Sequence, residues 1–304
     1  MKFVKLTNNS VDMEECQSTE NCSPKGTGRV SGTREWAHFT MSCYRGCDNA
    51  CKYCWALADK IRKNKNKIDS DKITSANRHI PVERDWKLFV NALKAGQRKF
   101  PGSSRIMFPA THDITPTTVE LCIKALKFIL DDKAKHEVLI VTKPRLECVK
   151  RLCMELGGYK GSILFRFTIG SADDAVLKFW EPEASQYQER LESLKYAFEN
   201  GFSTSISCEP PLDGNIEKVV EDVHPFVTDG IWIGASNQFG DRMKTNGFWD
   251  SEHENRMKEL IAANSEDVVR RRYEYWKDDV KIRWKDELKK VLGLESNTKA
   301  GMDK

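Results

Sequence analysis

The 304-residue chain lacks any long apolar run. No segment approaches the roughly 20 apolar residues that a membrane helix needs, so a spanning helix is excluded. The stretch from Met1 to Asn8 has no apolar core of the kind a secretory signal carries, and a cytoplasmic location is the expectation. Charge of one sign is also missing. Lys and Arg number 49 against 45 Asp and Glu, and a net charge of +4 is too small for the whole-molecule field to indicate nucleic acid. Cysteine is the residue not in short supply. Ten cysteines without an export signal argue for reduced thiols and metal binding rather than a disulfide framework. Four of them carry no motif: Cys16 and Cys22 read as free thiols in an irregular N-terminal stretch, and Cys148 and Cys153 as residues buried by their helix.

The informative cysteines lie in Cys47-Asp48-Asn49-Ala50-Cys51-Lys52-Tyr53-Cys54. Three thiolates at CxxxCxxC spacing suit three irons of a 4Fe-4S cluster and leave the fourth iron without a protein ligand. A site with one ligand missing is built to bind something else, as open catalytic metal sites are. The rival is zinc, because Cys43 completes a CxxxCxxxCxxC quartet with Cys47, Cys51 and Cys54. The direction in which Cys43 points therefore separates a catalyst from a closed binding protein.

Around this motif, short apolar runs alternate with helical periodicity. Strands are expected at His38 to Ser42, Arg105 to Phe108, Val138 to Val141, Ser162 to Phe167, Ser203 to Ser207 and Ile231 to Ile233. Helices are expected at Trp55 to Lys63, Asp85 to Lys99, Pro116 to Leu130 with Thr115 as cap, Arg145 to Leu156, and Gln186 to Glu199 ending at Asn200-Gly201. Six such units imply an α/β fold, a partial (β/α)6 TIM-type barrel with a parallel sheet. The expected organisation is an N-terminal extension over 1–34, a core over 35–240, and a C-terminal helical extension over 241–304. In barrels the chemistry gathers at the C-terminal ends of strands. Here those ends carry the cysteine loop, Thr111-His112-Asp113, Thr142-Lys143, Thr168 to Ser171, Cys208-Glu209-Pro210 and Ser236-Asn237-Gln238.

The cysteine spacing, with an aromatic residue before the last cysteine, resembles the signature of the radical S-adenosylmethionine (radical SAM) superfamily. Over about residues 36 to 225 the chain is similar to the spore photoproduct lyase-like (DNA repair photolyase-like) branch. The likeness is carried by Tyr44 to Ala56, Val141-Thr142-Lys143, Glu181-Pro182, Arg190-Leu191, Gly201, and Pro210 to Gly214. Thr111 to Pro116 and Ser207 to Pro210 look closer still to a phage-associated subfamily of uncharacterised proteins.

The resemblance implies Cys47, Cys51 and Cys54 as cluster ligands, and Tyr53 near the adenine of S-adenosylmethionine. It also implies Lys143 at the carboxylate of that cofactor and Thr168 and Ser171 near its methionine part. Lys143 as a solvated strand-end lysine, and Thr168 and Ser171 as loop caps, remain open alternatives. Asp113 either meets ribose hydroxyls or caps the helix at Pro116. Glu181 and Arg190 read as a structural pair. His112 is a candidate to approach substrate, and Cys208 or Cys43 a candidate hydrogen-donating thiol, with a buried inert thiol as the alternative for Cys208.

The implied activity is radical chemistry on a nucleic acid or nucleotide, driven by a flavodoxin or ferredoxin-type electron donor. Modification of a peptide or protein partner is the alternative within the superfamily. Two basic runs bear on substrate, Lys60 to Lys67 and Arg270 to Lys277, the second interleaved with aromatics as phosphate and base contacts require. Each also suits a solvated helix face.

Overall fold

Apolar runs of three to six residues, buried on both faces, are what a parallel sheet covered by helices demands. The structure, a computed structural model, describes residues 30–64, 80–236 and 238–301. After a short 3-10 turn at Gly32–Glu35 come β1 (Phe39–Thr40), β2 (Tyr44–Arg45), α1 (Trp55–Asn64), β3 (Val82–Glu83), α2 (Trp86–Lys99), β4 (Arg105–Phe108), α3 (Val119–Leu130) and β5 (Glu137–Thr142). Then follow α4 (Leu146–Glu155), β6 (Ile163–Thr168), α5 (Asp174–Trp180), α6 (Tyr187–Glu199), β7 (Ser203–Cys208), α7 (Ile216–Val223) and β8 (Ile231–Ile233). The chain ends with α8 (Phe239–Asn246), α9 (Ser251–Ala263), α10 (Glu266–Trp276), β9 (Ile282–Trp284) and α11 (Asp286–Leu292).

Seven strands form one parallel sheet in the order β1-β4-β5-β6-β7-β8-β9. Six were expected. The seventh, β9, comes from the region read as C-terminal helices and pairs Ile231 with Ile282 and Ile233 with Trp284. The pair β2 and β3 stands apart as an antiparallel ladder with Tyr44 opposite Glu83. α3 begins at Val119 instead of Pro116. Thr115 is not its cap, because its carbonyl accepts the N–H groups of Thr118 and Val119 at 2.9 Å while its hydroxyl donates to Asp48 Oδ2. α6 does stop at Asn200, with Gly201 at φ +75°, a region glycine enters at little cost.

Strand alternation splits the side chains into two sets. Ile106, Phe108, Val138, Ile140, Phe165, Phe167, Ile206, Ile231 and Ile233 pack against the helices in the main core. Met107, Leu139 and Trp232 turn the other way and form a second cluster with Trp36 and Ala37, against which Val141 and Leu164 pack. That second set lines the inside of the barrel. The two edges of the sheet are tied by side chains: Lys285, just after β9, donates to Gly32 O at 3.0 Å, and the Asp286 N–H donates to Glu35 just before β1.

Candidate active site

The cysteine loop leaves the end of β1 and runs into α1, and it is held by the protein at several points. Asn49 Nδ2 donates to Asp113 at 2.9 Å, the Glu183 N–H donates to the Asn49 carbonyl, and the Lys52 N–H donates to Trp180 O at 2.9 Å. Asn246 Nδ2, on α8, donates to the carbonyls of both Lys52 and Cys54 at 3.0 Å. Gly46 and Ala50 take positive φ values of 81° and 56°, so the backbone reverses just before Cys47 and again before Cys51. Among the described cysteines Cys47, Cys51 and Cys54 are partly open, whereas Cys43, Cys122, Cys148, Cys153 and Cys208 are buried.

Asp113 is the strut under this loop. Besides Asn49, its carboxylate accepts from the N–H groups of Ile114 and Lys143 at 3.1 and 2.9 Å and from the Thr142 hydroxyl. It caps no helix, and its bonds join the ends of β4 and β5 to the cysteine loop. Lys143 is not solvated. Its side chain is 13% exposed, with Nζ 3.7 Å from Glu181 and 5.9 Å from the Tyr53 ring centroid. Burial opposes the Lys143 charge, yet Cys51, Tyr53, Glu181 and Asp113 together raise its pKa well above the ordinary lysine value.

Glu181 is the hub of the opposite wall. It accepts from Arg190 Nη2 at 2.6 Å and from the Tyr53 hydroxyl. Burial pushes its pKa up, but Arg190 and Lys143 hold it below the usual carboxylate range. Arg190 also donates to Ser185 O and Thr168 O, so the expected Glu181–Arg190 pair does fix the segment after β6. The Tyr53 ring stacks on Phe239 at 4.5 Å. The Thr168 hydroxyl makes no hydrogen bond among the described residues. Ser171 is spent locally: its Oγ donates to Asp213 and accepts from the Asp173 N–H, as a loop cap does.

Three expected site residues face elsewhere. His112 is engaged within the protein: it lies between the Tyr44 and Phe108 rings, with Nδ1 2.9 Å from Asp113 O and Nε2 toward Cys43. Cys208 is fully buried in the helix-side core, its pKa pushed up by burial, and it cannot donate hydrogen into the barrel. Cys43 turns away from the loop, with Sγ 3.7 Å from Cys122 and 3.8 Å from His112 Nε2. Among the described residues Cys43 therefore does not group with Cys47, Cys51 and Cys54 as donors of one closed site. Cys43, His112 and Cys122 are the described donors that lie within 4.8 Å of one another. Cys47, Cys51 and Cys54 do not form a group of that tightness among the described residues.

The family model for the radical SAM superfamily matches residues 41–223. The chain belongs to the radical SAM superfamily. An uncharacterised protein of Acidianus two-tailed virus is 26% identical over 220 residues, 66% of this chain and 66% of that protein's own length. A mutant of spore photoproduct lyase is similar in fold, with TM-score 0.53 at 15% identity over 86% of this chain and 79% of that one. The same lyase complexed with dinucleoside spore photoproduct gives TM-score 0.51 at 15% identity, over 80% of this chain and 74% of that one.

A radical SAM enzyme carries an iron-sulfur cluster and S-adenosylmethionine, and the loop fits such a cluster. Burial raises the pKa of Cys51 to about 12 and that of Cys47 well above the ordinary thiol value, so a metal, not pH, would make them thiolates. Cys16 and Cys22 lie outside the described residues. No described helix is long and apolar enough to cross a membrane.

Sequence reading missed the inner wall of this radical SAM barrel. Glu209, at the end of β7, lies over Gly234 so closely that a Cβ there would sit 2.6 Å from its Cγ. Its carboxylate is 3.8 Å from Lys285 Nζ, which also pairs with Glu35 at 2.7 Å and lies 4.1 Å from the Trp36 ring centroid. Burial raises the Glu209 pKa to about 7. Below them Arg166 sits against Trp36 and Trp232 and donates to Ser205 and Asp229. The sequence placed Glu209 at a strand end, and period-two alternation puts it on the face opposite Cys208, but neither signalled its approach to Lys285.

Proposed function

We propose that this protein cleaves S-adenosylmethionine reductively at a 4Fe-4S cluster on Cys47, Cys51 and Cys54 and abstracts hydrogen from a nucleic acid or nucleotide. The observation that carries this reading is the contrast among cysteines: the CxxxCxxC thiols are partly open, while Cys43 is buried elsewhere. When bound, the cluster supplies the electron that yields a 5'-deoxyadenosyl radical from S-adenosylmethionine.

The chain's own residues prepare the site. Lys143 offers a compact ammonium for the cofactor carboxylate, held in place by Glu181 and the Tyr53 ring. The Tyr53 and Phe239 pair supplies a flat apolar wall for the adenine, and the Thr168 hydroxyl is available to a polar group of the methionine part. Asp113 acts by position, keeping the cysteine loop, Lys143 and the end of β4 in register. It has little capacity left for ribose. A flavodoxin or ferredoxin-type protein in a reducing cytoplasm is the proposed electron source.

The nucleic-acid part rests on the fold shared with spore photoproduct lyase and on local charge, not on the Arg270 to Lys277 run. Arg272 is buried there, donating to Glu217, Asn264 and Gly214 O as a structural tie. The test is anaerobic reconstitution with iron and sulfide, followed by EPR with and without S-adenosylmethionine and chromatography for 5'-deoxyadenosine. A spectrum that shifts on adding S-adenosylmethionine, with 5'-deoxyadenosine formed under reduction, is expected. Zinc in place of iron, or a spectrum indifferent to S-adenosylmethionine, would sink the reading.

A further inference from the structure

Five cations border the cluster side of the barrel mouth. Arg45 ends β2 two residues before Cys47, and Arg84 follows β3, donating to Tyr44 O at 3.1 Å and Thr111 Oγ1 at 3.3 Å. Lys60 and Arg62 lie on α1, the helix that Cys54 leads into. Arg242 lies on α8, next to α1, where Arg62 reaches Thr245. Among the described residues none of the five has a carboxylate within 4 Å. Of the acids around them, Asp59 is engaged with Lys63 at 2.9 Å and Glu83 with the Tyr44 hydroxyl at 3.5 Å, while Glu209 acts on Arg242 without closing to an ion pair.

These cations are under strain from one another. Lys60, Arg84 and Arg242 are half-buried. Burial and then repulsion from Arg84 and Arg45 push the Lys60 pKa down to about 8; burial and then Arg45 lower that of Arg84. Burial lowers that of Arg242 too, with Glu209 and Cys54 acting against it. Half-buried like charges without counter-charge are costly unless an anion arrives. The cluster is not anion enough. Three thiolates on a 2+ cubane leave about one negative charge, and S-adenosylmethionine, with one carboxylate against an ammonium and a sulfonium, adds no further negative charge.

We propose that Arg45, Lys60, Arg62, Arg84 and Arg242 form a track for the phosphodiester backbone of a nucleic-acid substrate, laying the reacting nucleotide across the barrel mouth. The proposal rests on the nucleic-acid reading above and specifies where that substrate is gripped. The cations come from three separate elements, the β2–β3 ladder, α1 and α8. Arginine forks match phosphate oxygens in pairs, and Lys60 adds a point charge. Contacts of this kind position the strand without reading its sequence.

The test is fluorescence anisotropy with the anaerobically reconstituted full chain and fluorescein-labelled 20-mers, single-stranded and duplex, DNA and RNA, across about 50 to 300 mM salt. Arg45→Gln, Lys60→Gln and Arg242→Gln combined should lower the slope of log affinity against log salt by about two to three and weaken binding about 100-fold near 0.1 M salt. Lys60→Arg alone should keep the slope, and Arg270→Gln with Arg271→Gln, on exposed α10 positions, should keep it too. Melting and iron content, followed alongside, show whether the triple variant is folded and loaded. A wild type that binds an oligonucleotide with a slope the triple variant leaves untouched overturns the track alone. A wild type that forms 5'-deoxyadenosine but binds no oligonucleotide, or binds polyglutamate instead, overturns the track and the nucleic-acid substrate while leaving the radical chemistry standing.

Discussion

Glu181 stays charged in a place where burial alone would neutralise it, because Arg190 and Lys143 lie against it. Glu181→Gln removes the charge that both cations depend on, and a loss of about 3 to 5 kcal/mol is expected, measured by urea unfolding of the apo protein. Glu209 works in the opposite sense. Its pKa is raised from 4.5 to about 7, so the stability tied to its protonated form is fully present below pH 4.5 and is lost as pH rises through 7. Glu209→Gln should therefore be more stable than the wild type at pH 8 and lose that advantage by pH 5, read from melting curves of the two proteins at both values. Cys43 is likewise separable from the cluster ligands. Cys43→Ser and Cys122→Ser should each retain iron and the EPR response to S-adenosylmethionine, whereas Cys47→Ala, Cys51→Ala or Cys54→Ala abolishes both.

At the scale of elements, β9 is the piece that composition concealed. Ile282-Arg283-Trp284 is three residues long and is flanked by Lys281 and Lys285, too short and too charged to show a strand period. It is a strand because β8 offers it an edge and Trp276 and Tyr273 on α10 pack against Trp284. Ending the chain after Asp279 should expose β8 as a bare apolar edge and send the protein into aggregates, scored by sedimentation of the expressed product. Other elements were readable from their sequence: β4 and β8 fall on apolar runs free of the flanking lysines that mask β9, and α6, long enough to repeat its period, stops at its glycine. The cysteine triad was legible from spacing. The partners of Lys143 and the direction of Cys43 were not, since both depend on residues 38 to 90 positions distant that only the tertiary fold brings near. Arg272 misled for a related reason: a cation beside aromatics looks the same whether it meets phosphate or Glu217.

For the molecule as a whole, the seam between the sheet edges is its closure. Lys285 holds Glu35 and Gly32 on one side and faces Glu209 on the other, all within the inner wall. Lys285→Met should cost about 3 to 5 kcal/mol by leaving Glu35, whose pKa burial already raises, buried without its counter-charge, and adding Glu35→Leu should restore much of it. Amide exchange at 30–37 and 282–297 should quicken together in the single variant, since the same contact secures both stretches. The cysteine loop has a different kind of security. Asn49, Lys52 and Cys54 are fastened by Asp113, Glu183, Trp180 and Asn246 through bonds that involve no iron. If the loop holds the proposed cluster, these bonds predict that air strips the metal and leaves behind a shaped, waiting cradle, so that an inactivated molecule is a candidate for repair rather than for disposal.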